Sequence, residues 1–406
     1  MKRRDFVKLG MAGAAALPFG ACEQATAPPP SPPPTPLANS PLFRVSQIPD
    51  QALGAGNRHS GVDTLLDVMG RNGLKFYRTA PVNVETGSNG LIAADDVVLL
   101  KVNAQWKYRG CTNSDLVRGL IQRILEHPDG FHGEVVIVEN GQGRGSLACD
   151  TSSSYGNSEV HANAENEQHS FLWLVNSLFQ DPRVSAFLLD PVAGTFIGDT
   201  DHQTAGYRRL ENVSYPCFTT AGGRRVELGR GIWNGSAFDG NLKLINIPVL
   251  KHHDTGGSEI TGALKHMYGL VSMSDGQSGF RHYGGLGETC GKMMVTVQTP
   301  VLNVIDAIWV SQGALEGYPA SSTFRANQIV ASQDPVALDY WAAKNILYPI
   351  DNNSRHHPDY PGIDAWLTSA LTTINGRGGF SGLDRGILIQ NATKTESQMR
   401  LYETTP

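Results

Sequence analysis

The sequence has little charge, and beyond its N-terminal segment it has no long apolar run. Charged residues make up 17% of its 406 residues, and the formal net charge is -5 at pH 7. Because proteins that bind nucleic acid usually carry a basic stripe, this balance argues against a nucleic-acid partner. A membrane-spanning helix needs about 20 consecutive apolar residues. No such run follows the N-terminal segment, so we do not expect the mature protein to be an integral membrane protein.

Motifs that mark several well-known chemistries are also absent. The sequence has no Gly-x-Ser-x-Gly, the nucleophile elbow of α/β-hydrolases. The glycine-rich GQGRG at 141–145 lacks the spacing of a phosphate loop or a dinucleotide fingerprint. No Cys-x-x-Cys is present, which gives a zinc ribbon or an iron–sulfur site little support. The body has four cysteines, which can form up to two disulfides or remain buried free thiols: Cys111, Cys149, Cys217 and Cys290.

Residues 1–22 are typical of an export signal, because a basic start precedes a short apolar stretch. Arg3 and Arg4, with Phe6 and Lys8 behind them, resemble the twin-arginine pattern, whose export machinery carries folded proteins. An ordinary secretory signal is the alternative. We therefore expect the protein in the periplasm or the cell envelope.

The segment after the signal indicates how the protein is held there. The stretch PFGAC, which ends at Cys22, resembles a lipoprotein cleavage box, although Phe19 stands where leucine is usual. Lipid on Cys22 would be the only membrane contact. Residues 23–40 are rich in proline and form a stiff linker. The globular body is expected over residues 41–406.

Within this body, apolar runs of strand length alternate with amphipathic stretches of helix length. Strands are predicted at 97–104, 134–141, 184–190 and 242–250, and a helix is predicted from Ser258 to Val271. Residues 206–240 are irregular, and antiparallel pairing is expected there. The pattern predicts an α/β fold, in which a mixed, largely parallel sheet is flanked by helices in a single compact body.

Two predicted helices carry recognisable start signals. Asn113 or Ser114 can cap the helix that follows, and Asp334 can cap another that has Pro335 at its first position. Asp334 is therefore better explained as a structural cap than as a catalytic group.

Polar side chains stand at the carboxyl ends of the predicted strands. In open α/β sheets, ligands bind in the crevice outside these ends. If the sheet is parallel, one edge gathers Lys101 and Asn103, Glu139 and Asn140, Asp190, Lys251 to His253, and Asp306.

Four segments in this order, LLKVNA, NIPVLKHHDTGGSEITGALKHMYG, LNVIDAI and IVASQDPVALDYWAA, resemble the DUF362 family. The resemblance runs from about residue 95 to 348 and implies the fold and the place of the site, since the family's reaction is largely unassigned. His266 stands where the family usually has asparagine, and His252 where threonine is common. The cysteine-rich iron–sulfur module of many relatives is missing, and the resemblance implies no particular cofactor. The positions carried over are Lys101, Asn103, Lys251, His253, Thr261, Lys265, Asp306, Asp334 and Asp339.

The segment 246–269 is the strongest candidate site. In a strand, Lys251 and His253 point to one face while His252 points to the other. The helix expected from Ser258 would offer free N–H groups, and Thr261 and Lys265 would share one of its faces. Together these groups predict a pocket for phosphate, carboxylate or sulfate, on an anionic small molecule or a polymer end.

Two other interpretations of this segment stay open. The first is a metal site built from His252, His253 and His266, which the two nearby lysines disfavour. The second is structural, with the lysines paired to Asp306 or Glu139. Arg281 and His282 lie in a glycine-rich loop that could fold over the pocket and contribute to ligand binding.

The predicted function is that of an exported cell-envelope protein with an anion-binding Lys/His pocket. If the protein is an enzyme, Lys251 and Lys265 would anchor the anionic substrate electrostatically, and His253 would act as general acid or base. The alternative is a non-catalytic accessory protein that binds a ligand or a metal. The sequence does not identify the reaction.

Overall fold

A mixed β-sheet organises the body of the protein, which the computed structural model describes over residues 40–151, 157–211, 213–253, 259–272, 284–313 and 315–406. The described strands are β1 (Ser40–Val45), β2 (Tyr77–Arg78), β3 (Thr86–Gly87), β4 (Val97–Val102), β5 (Glu134–Glu139), β6 (Val184–Leu188), β7 (Gly206–Leu210), β8 (Val213–Thr219), β9 (Arg225–Glu227), β10 (Gly231–Trp233), β11 (Phe238–Asp239), β12 (Leu242–Ile247), β13 (Val249–His253), β14 (Glu259–Thr261), β15 (Leu302–Ser311), β16 (Thr323–Ser332) and β17 (Met399–Thr404).

The helices surround this sheet. Those described are α1 (Ser60–Arg71), α2 (Ser114–Leu125), α3 (Phe171–Trp173), α4 (Ala263–His266), α5 (Leu286–Lys292), α6 (Pro335–Ala342), α7 (Tyr348–Asp351) and α8 (Pro361–Gly376). No helix in this part of the chain combines the length and the apolar character that crossing a bilayer requires.

The large sheet confirms the α/β prediction. Its strand order is β17-β1-β16-β15-β12-β4-β5-β6, with β13 and β14 added beside β15. The run from β15 to β6 is parallel, whereas β16 is antiparallel to both β15 and β1. The C-terminal β17 pairs in parallel with β1. The sheet is therefore mixed and largely parallel.

The sheet is buried on both faces, and this explains its continuous apolar strands. All six residues of β4 are buried. Val97 and Leu99 pack in one core, while Val98 and Leu100 pack in the core on the opposite face. A separate antiparallel sheet, β11-β10-β9-β8-β7, covers residues 206–239 and agrees with the pairing expected there.

Both helix caps are present as predicted. The Asn113 side chain accepts a hydrogen bond from the backbone N–H of Leu116, at the start of α2. Asp334 accepts bonds from two first-turn amides of α6, and Pro335 occupies the first helical position. A short polar side chain before an apolar helical pattern was a sufficient signal in both cases.

Two predicted elements differ from the structure. The strand expected over 242–250 is interrupted at Pro248, which lacks the N–H that a continuous ladder would need. The helix expected from Ser258 to Val271 begins only at Ala263. Residues Glu259–Thr261 instead form β14, antiparallel to β13, because β-branched Ile260 and Thr261 suit a strand that has a partner available.

Candidate functional site

The hairpin of β13 and β14 brings the predicted site residues together at the strand ends. Lys251 pairs directly with Thr261 in this hairpin, and α4 then places Lys265 beside them. The resulting cavity, called here the strand-end pocket, encloses about 30 Å³ of free space. Its lining consists of Lys101, Asn103, Gln105, Trp106, Glu139, Gln142, Lys251, His253, Thr261, Lys265, His266, Tyr268 and Gly269.

Strand geometry separates the adjacent histidines as the alternation predicts. His253 faces the pocket, where its Nδ1 lies 3.1 Å from the Thr261 hydroxyl. His252 points to the other face, and its ring centroid lies 6.0 Å from that of His356. Of these two adjacent histidines, only His253 can therefore act on a group held in the pocket.

Lys251 and Lys265 are the main electrostatic feature of the pocket. Both side chains are almost completely buried. The pKa of Lys251 is lowered to about 7, mainly by burial; Cys111 opposes this shift, and the neighbouring charge of Lys265 adds to it. Burial likewise lowers the pKa of Lys265 to about 8. Neither lysine forms an ion pair with any residue in the described ranges.

The hydrogen bonds of the two lysines are also few. Lys251 Nζ donates to the backbone carbonyl of Gly110 at 2.7 Å. Lys265 Nζ lies 5.7 Å from the centroid of the Tyr268 ring, a weak cation–π contact. A lysine has three N–H donors. Both ammonium groups can therefore donate to a bound group.

Lys101 has a different role from the other two lysines. Its ammonium forms an ion pair with Glu139 and also donates to the backbone carbonyl of Val102 at 2.8 Å. Burial raises the pKa of Glu139 to about 7, against the opposing effect of Lys101. A Cβ at Gly269 would lie 2.6 Å from Lys101 Nζ, so only glycine allows this close approach. Lys101 lines the pocket, but its charge is balanced within the protein.

His266 belongs to a buried hydrogen-bond network. Its Nε2 lies 3.0 Å from Lys101 Nζ, and its Nδ1 lies 2.6 Å from Asn246 Oδ1. Because an ammonium can only donate and an amide oxygen can only accept, His266 carries its proton on Nδ1. Burial and the charge of Lys101 lower the pKa of this imidazole well below its usual range. His266 is therefore neutral.

The structure does not assemble the alternative metal site. His252 lies on the wrong face of β13, and both ring nitrogens of His266 are engaged within the protein. Among the described residues, no three His, Cys, Asp or Glu side chains are grouped so that they could hold a metal ion.

Asn103 and Asp306 mainly hold the backbone around the site. Asn103 Oδ1 accepts a hydrogen bond from the N–H of Val249 at 2.9 Å and thereby positions β13. Asp306 accepts bonds from the amides of Asn113 and Ile308, at 2.7 and 3.1 Å. Asp306 does not line the pocket, and both its hydrogen bonds go to backbone amides. Burial raises the pKa of Asp306 to about 7.

The helix N-terminus, expected to bind the anion, is occupied by Asp339. This buried carboxylate accepts hydrogen bonds from the amides of Ala263 and Leu264, at 2.5 and 2.9 Å. The helix amides are thus satisfied from within the protein. Sequence reasoning missed this role, although an aspartate in the middle of the apolar helix α6 was an available signal.

Other predicted features lie outside the described residues. They are Arg281 and His282 of the expected lid, Ser258 with the two glycines before it, and Cys22 with the signal. The four cysteines of the body are buried free thiols in this structure.

Comparison with known proteins gives one match. Residues 231–344 match the family model described as "Domain of unknown function (DUF362)". The matched range contains Lys251, Thr261 and Lys265 but not Lys101 or Asn103. No curated protein and no solved structure matches.

Proposed function

We propose that this chain, which carries a DUF362 domain over residues 231–344, is an exported cell-envelope protein that binds an oxyanion in the strand-end pocket. The observation that supports the proposal is the pair of buried lysines, Lys251 and Lys265, which have no carboxylate partner among the described residues. Burying an ammonium is costly unless an opposite charge compensates it. A bound anion would provide that compensation for both lysines at once.

The size of the pocket limits what enters it. One water molecule needs roughly 10–15 Å³ of such free space, so a space of about 30 Å³ admits only a few atoms. The pocket therefore accepts one or two oxygens of a carboxylate, phosphate or sulfate, while the rest of the ligand stays outside. This favours the end group of a larger anionic molecule or polymer.

Nearby carboxylates do not oppose an anion strongly. Glu139 is paired with Lys101, and Glu259 is held by the guanidinium of Arg355 at 2.9 Å. Thr261 and His253 add a hydroxyl and an imidazole on the same side as Lys251. Cationic and neutral donors therefore dominate the pocket.

A catalytic role is the second proposal, and the lowered lysine pKa values favour it. An amine with a pKa of about 7, as in Lys251, is partly neutral at physiological pH and can act as a base or nucleophile. In this version Lys265 binds the anion, while Lys251 and His253 accept and donate protons. The accessory-protein alternative has the same binding groups but no turnover.

Binding is tested by calorimetric titration of residues 41–406 with inorganic phosphate, sulfate and acetate. Removing a charge-assisted hydrogen bond costs about 1.5–3 kcal/mol, so Lys265→Met should weaken binding by about 10- to 150-fold. The matched control is Lys344→Met, because Lys344 already has Glu396 as its partner. Equal binding by the wild type and Lys265→Met would refute the proposal.

Ligand identity and location need separate measurements. Native mass spectrometry with elemental analysis of protein purified from the envelope should show a co-purified phosphorylated, sulfated or carboxylated molecule. Stoichiometric transition metal would favour the metal-binding alternative. Export is tested by replacing Arg3 and Arg4 with lysine and fractionating the cells, and retention in the cytoplasm is expected.

A further inference from the structure

A second cavity is lined in part by Asn113 and Asp115 at the start of α2, and it shares no lining residue with the strand-end pocket. Its volume is about 380 Å³. We call it the Trp309 cavity, after the indole that forms part of its wall. Arg109 and Asp115 also line it. The cavity thus has a cationic and an anionic group as well as an aromatic surface.

Arg109 lies against the indole and has N–H donors that make no hydrogen bond with the described residues. Its guanidinium carbon is 4.5 Å from the centroid of the Trp309 ring. One nitrogen, Nη1, donates to Asn163 Oδ1 at 2.7 Å and, less closely, to the carbonyl of Ala164. No described carboxylate forms an ion pair with Arg109. Since a guanidinium has five N–H donors, most of them can serve a ligand.

Asp115 provides the opposite charge. Only 2% of this residue is exposed. Its Oδ2 accepts a hydrogen bond from the backbone N–H of Glu165 at 2.7 Å, but Oδ1 has no hydrogen-bond partner among the described residues. Buried polar atoms are nearly always hydrogen-bonded, and each exception needs an explanation. Oδ1 is therefore an unused acceptor beside the cavity.

The charges of Arg109 and Asp115 are not paired with each other. No ion pair joins the described side chains of Arg109 and Asp115, although both line one cavity. A simple anion would meet the Asp115 carboxylate, and a simple cation would meet the Arg109 guanidinium. A ligand that carries both charges at a short separation avoids both conflicts.

Other charged groups around the cavity are already engaged. Arg325 and Asp50 form an ion pair at 3.1 Å, and Glu165 Oε1 accepts from the Ala52 amide. His59 accepts a bond from the Val62 amide through Nδ1, and burial lowers its pKa to about 4, so it stays neutral. Glu165 remains an exposed carboxylate of the lining, whereas Arg109 and Asp115 are its less exposed charged groups without an ion pair among the described residues.

We propose that the Trp309 cavity binds an α-amino acid, with the ligand carboxylate on Arg109 and the ligand ammonium on the Asp115 carboxylate. Ile48, Ile308 and Trp309 provide apolar surface for the ligand side chain. The volume of about 380 Å³ lies within the roughly 300–1,000 Å³ that is usual for small-molecule pockets. A free amino acid or a dipeptide fits this space. The proposal does not depend on the strand-end pocket.

The first test varies the ligand. A thermal-shift and calorimetric screen of residues 41–406 uses the twenty amino acids and Ala-Ala at millimolar concentration. For each hit, the N-acetyl and the carboxamide derivatives are measured beside the free amino acid. Both derivatives should bind at least about tenfold more weakly, because each removes one charge-assisted contact. Equal binding of either derivative, or the absence of any hit, would overturn the proposal.

The second test varies the protein. Asp115→Asn and Arg109→Gln should each weaken binding at least about tenfold, whereas the control Lys344→Met, at a surface lysine that does not line the cavity, should change it little. Lys265→Met should bind the amino acid like wild type, which separates this cavity from the strand-end pocket. Binding that persists in both Asp115→Asn and Arg109→Gln would contradict the assignment. If either variant is unfolded, the ligand series above still decides.

Discussion

Replacing Lys265 with methionine should stabilise the ligand-free protein. Lys265 carries a buried ammonium that has neither an ion pair nor a hydrogen bond with the described residues. Methionine is of similar length and keeps most of the apolar contacts of the lysine stem. The substitution therefore removes the cost of burying the charge and leaves the packing largely intact.

The magnitude follows from the pKa of Lys265, which burial lowers from 10.5 to about 8. Each pKa unit corresponds to about 1.36 kcal/mol. At pH 7 the lysine is charged in both states, so its burial costs the folded protein about 3 kcal/mol. For a body of roughly 370 residues, the variant should melt about 4 °C higher.

The pH dependence gives an independent check on this reasoning. Because the pKa is lower in the folded state, the unfolded chain binds more protons between about pH 8 and pH 10.5. Wild-type stability should therefore rise across this interval through Lys265, and the variant should lack that contribution. The stability difference between the two proteins should shrink from about 3 kcal/mol at pH 7 to near zero above pH 10.5.

The assay is urea unfolding followed by circular dichroism at several pH values, without phosphate or sulfate in the buffer. Lys344→Met serves as the control. This surface lysine pairs with Glu396, and its loss should change stability by about 0–1 kcal/mol. A Lys265→Met protein that is less stable than wild type at pH 7 would refute the view that Lys265 is an uncompensated charge kept for a ligand.

Three further predictions concern the groups that support the pocket. Asp339→Ala removes the acceptor of two buried amides and should cost about 3 kcal/mol in urea unfolding, and an unchanged midpoint would contradict the capping role. Glu139→Gln leaves Lys101 as a buried charge without a partner and should cost about 3–5 kcal/mol, most of which Lys101→Met in the same chain should restore. His266 should show the nitrogen chemical shifts of a neutral Nδ1–H ring throughout about pH 5 to 8, and a protonated ring near pH 6 would argue against its bond to Asn246.

Local patterns were sufficient to predict the parts of the site that depend on one element. Alternation along a strand placed Lys251 and His253 on one side and His252 on the other, because the side-chain period in a strand is two. Capping chemistry placed the start of α2 at Asn113 or Ser114, and the structure has Asn113, whose Oδ1 needs only the amide three residues later. These are short-range effects, and a single sequence contains them.

Long-range partners could not be predicted in the same way. Asp339 accepts a hydrogen bond from the amide of Ala263, although the two residues are 76 positions apart in the sequence. Lys101 and Glu139 meet only because β4 and β5 are neighbours in register. The sequence contains all of these residues, but which carboxylate meets which donor depends on how the sheet and helices pack. The ion pair of Lys101 with Glu139 therefore needed the fold to be recognised.

The capping by Asp339 changes the physical basis of the proposed anion site. A helix N-terminus offers neutral N–H donors whose binding of anions would depend little on pH. Here those donors are taken, so an oxyanion would be held by Lys251 and Lys265, whose pKa values are about 7 and 8. Such a site loses its positive charge as the pH rises through this range, and a bound anion raises both pKa values by favouring the charged amines. Oxyanion affinity should therefore fall from pH 6 to pH 9, and proton uptake should accompany binding near neutral pH.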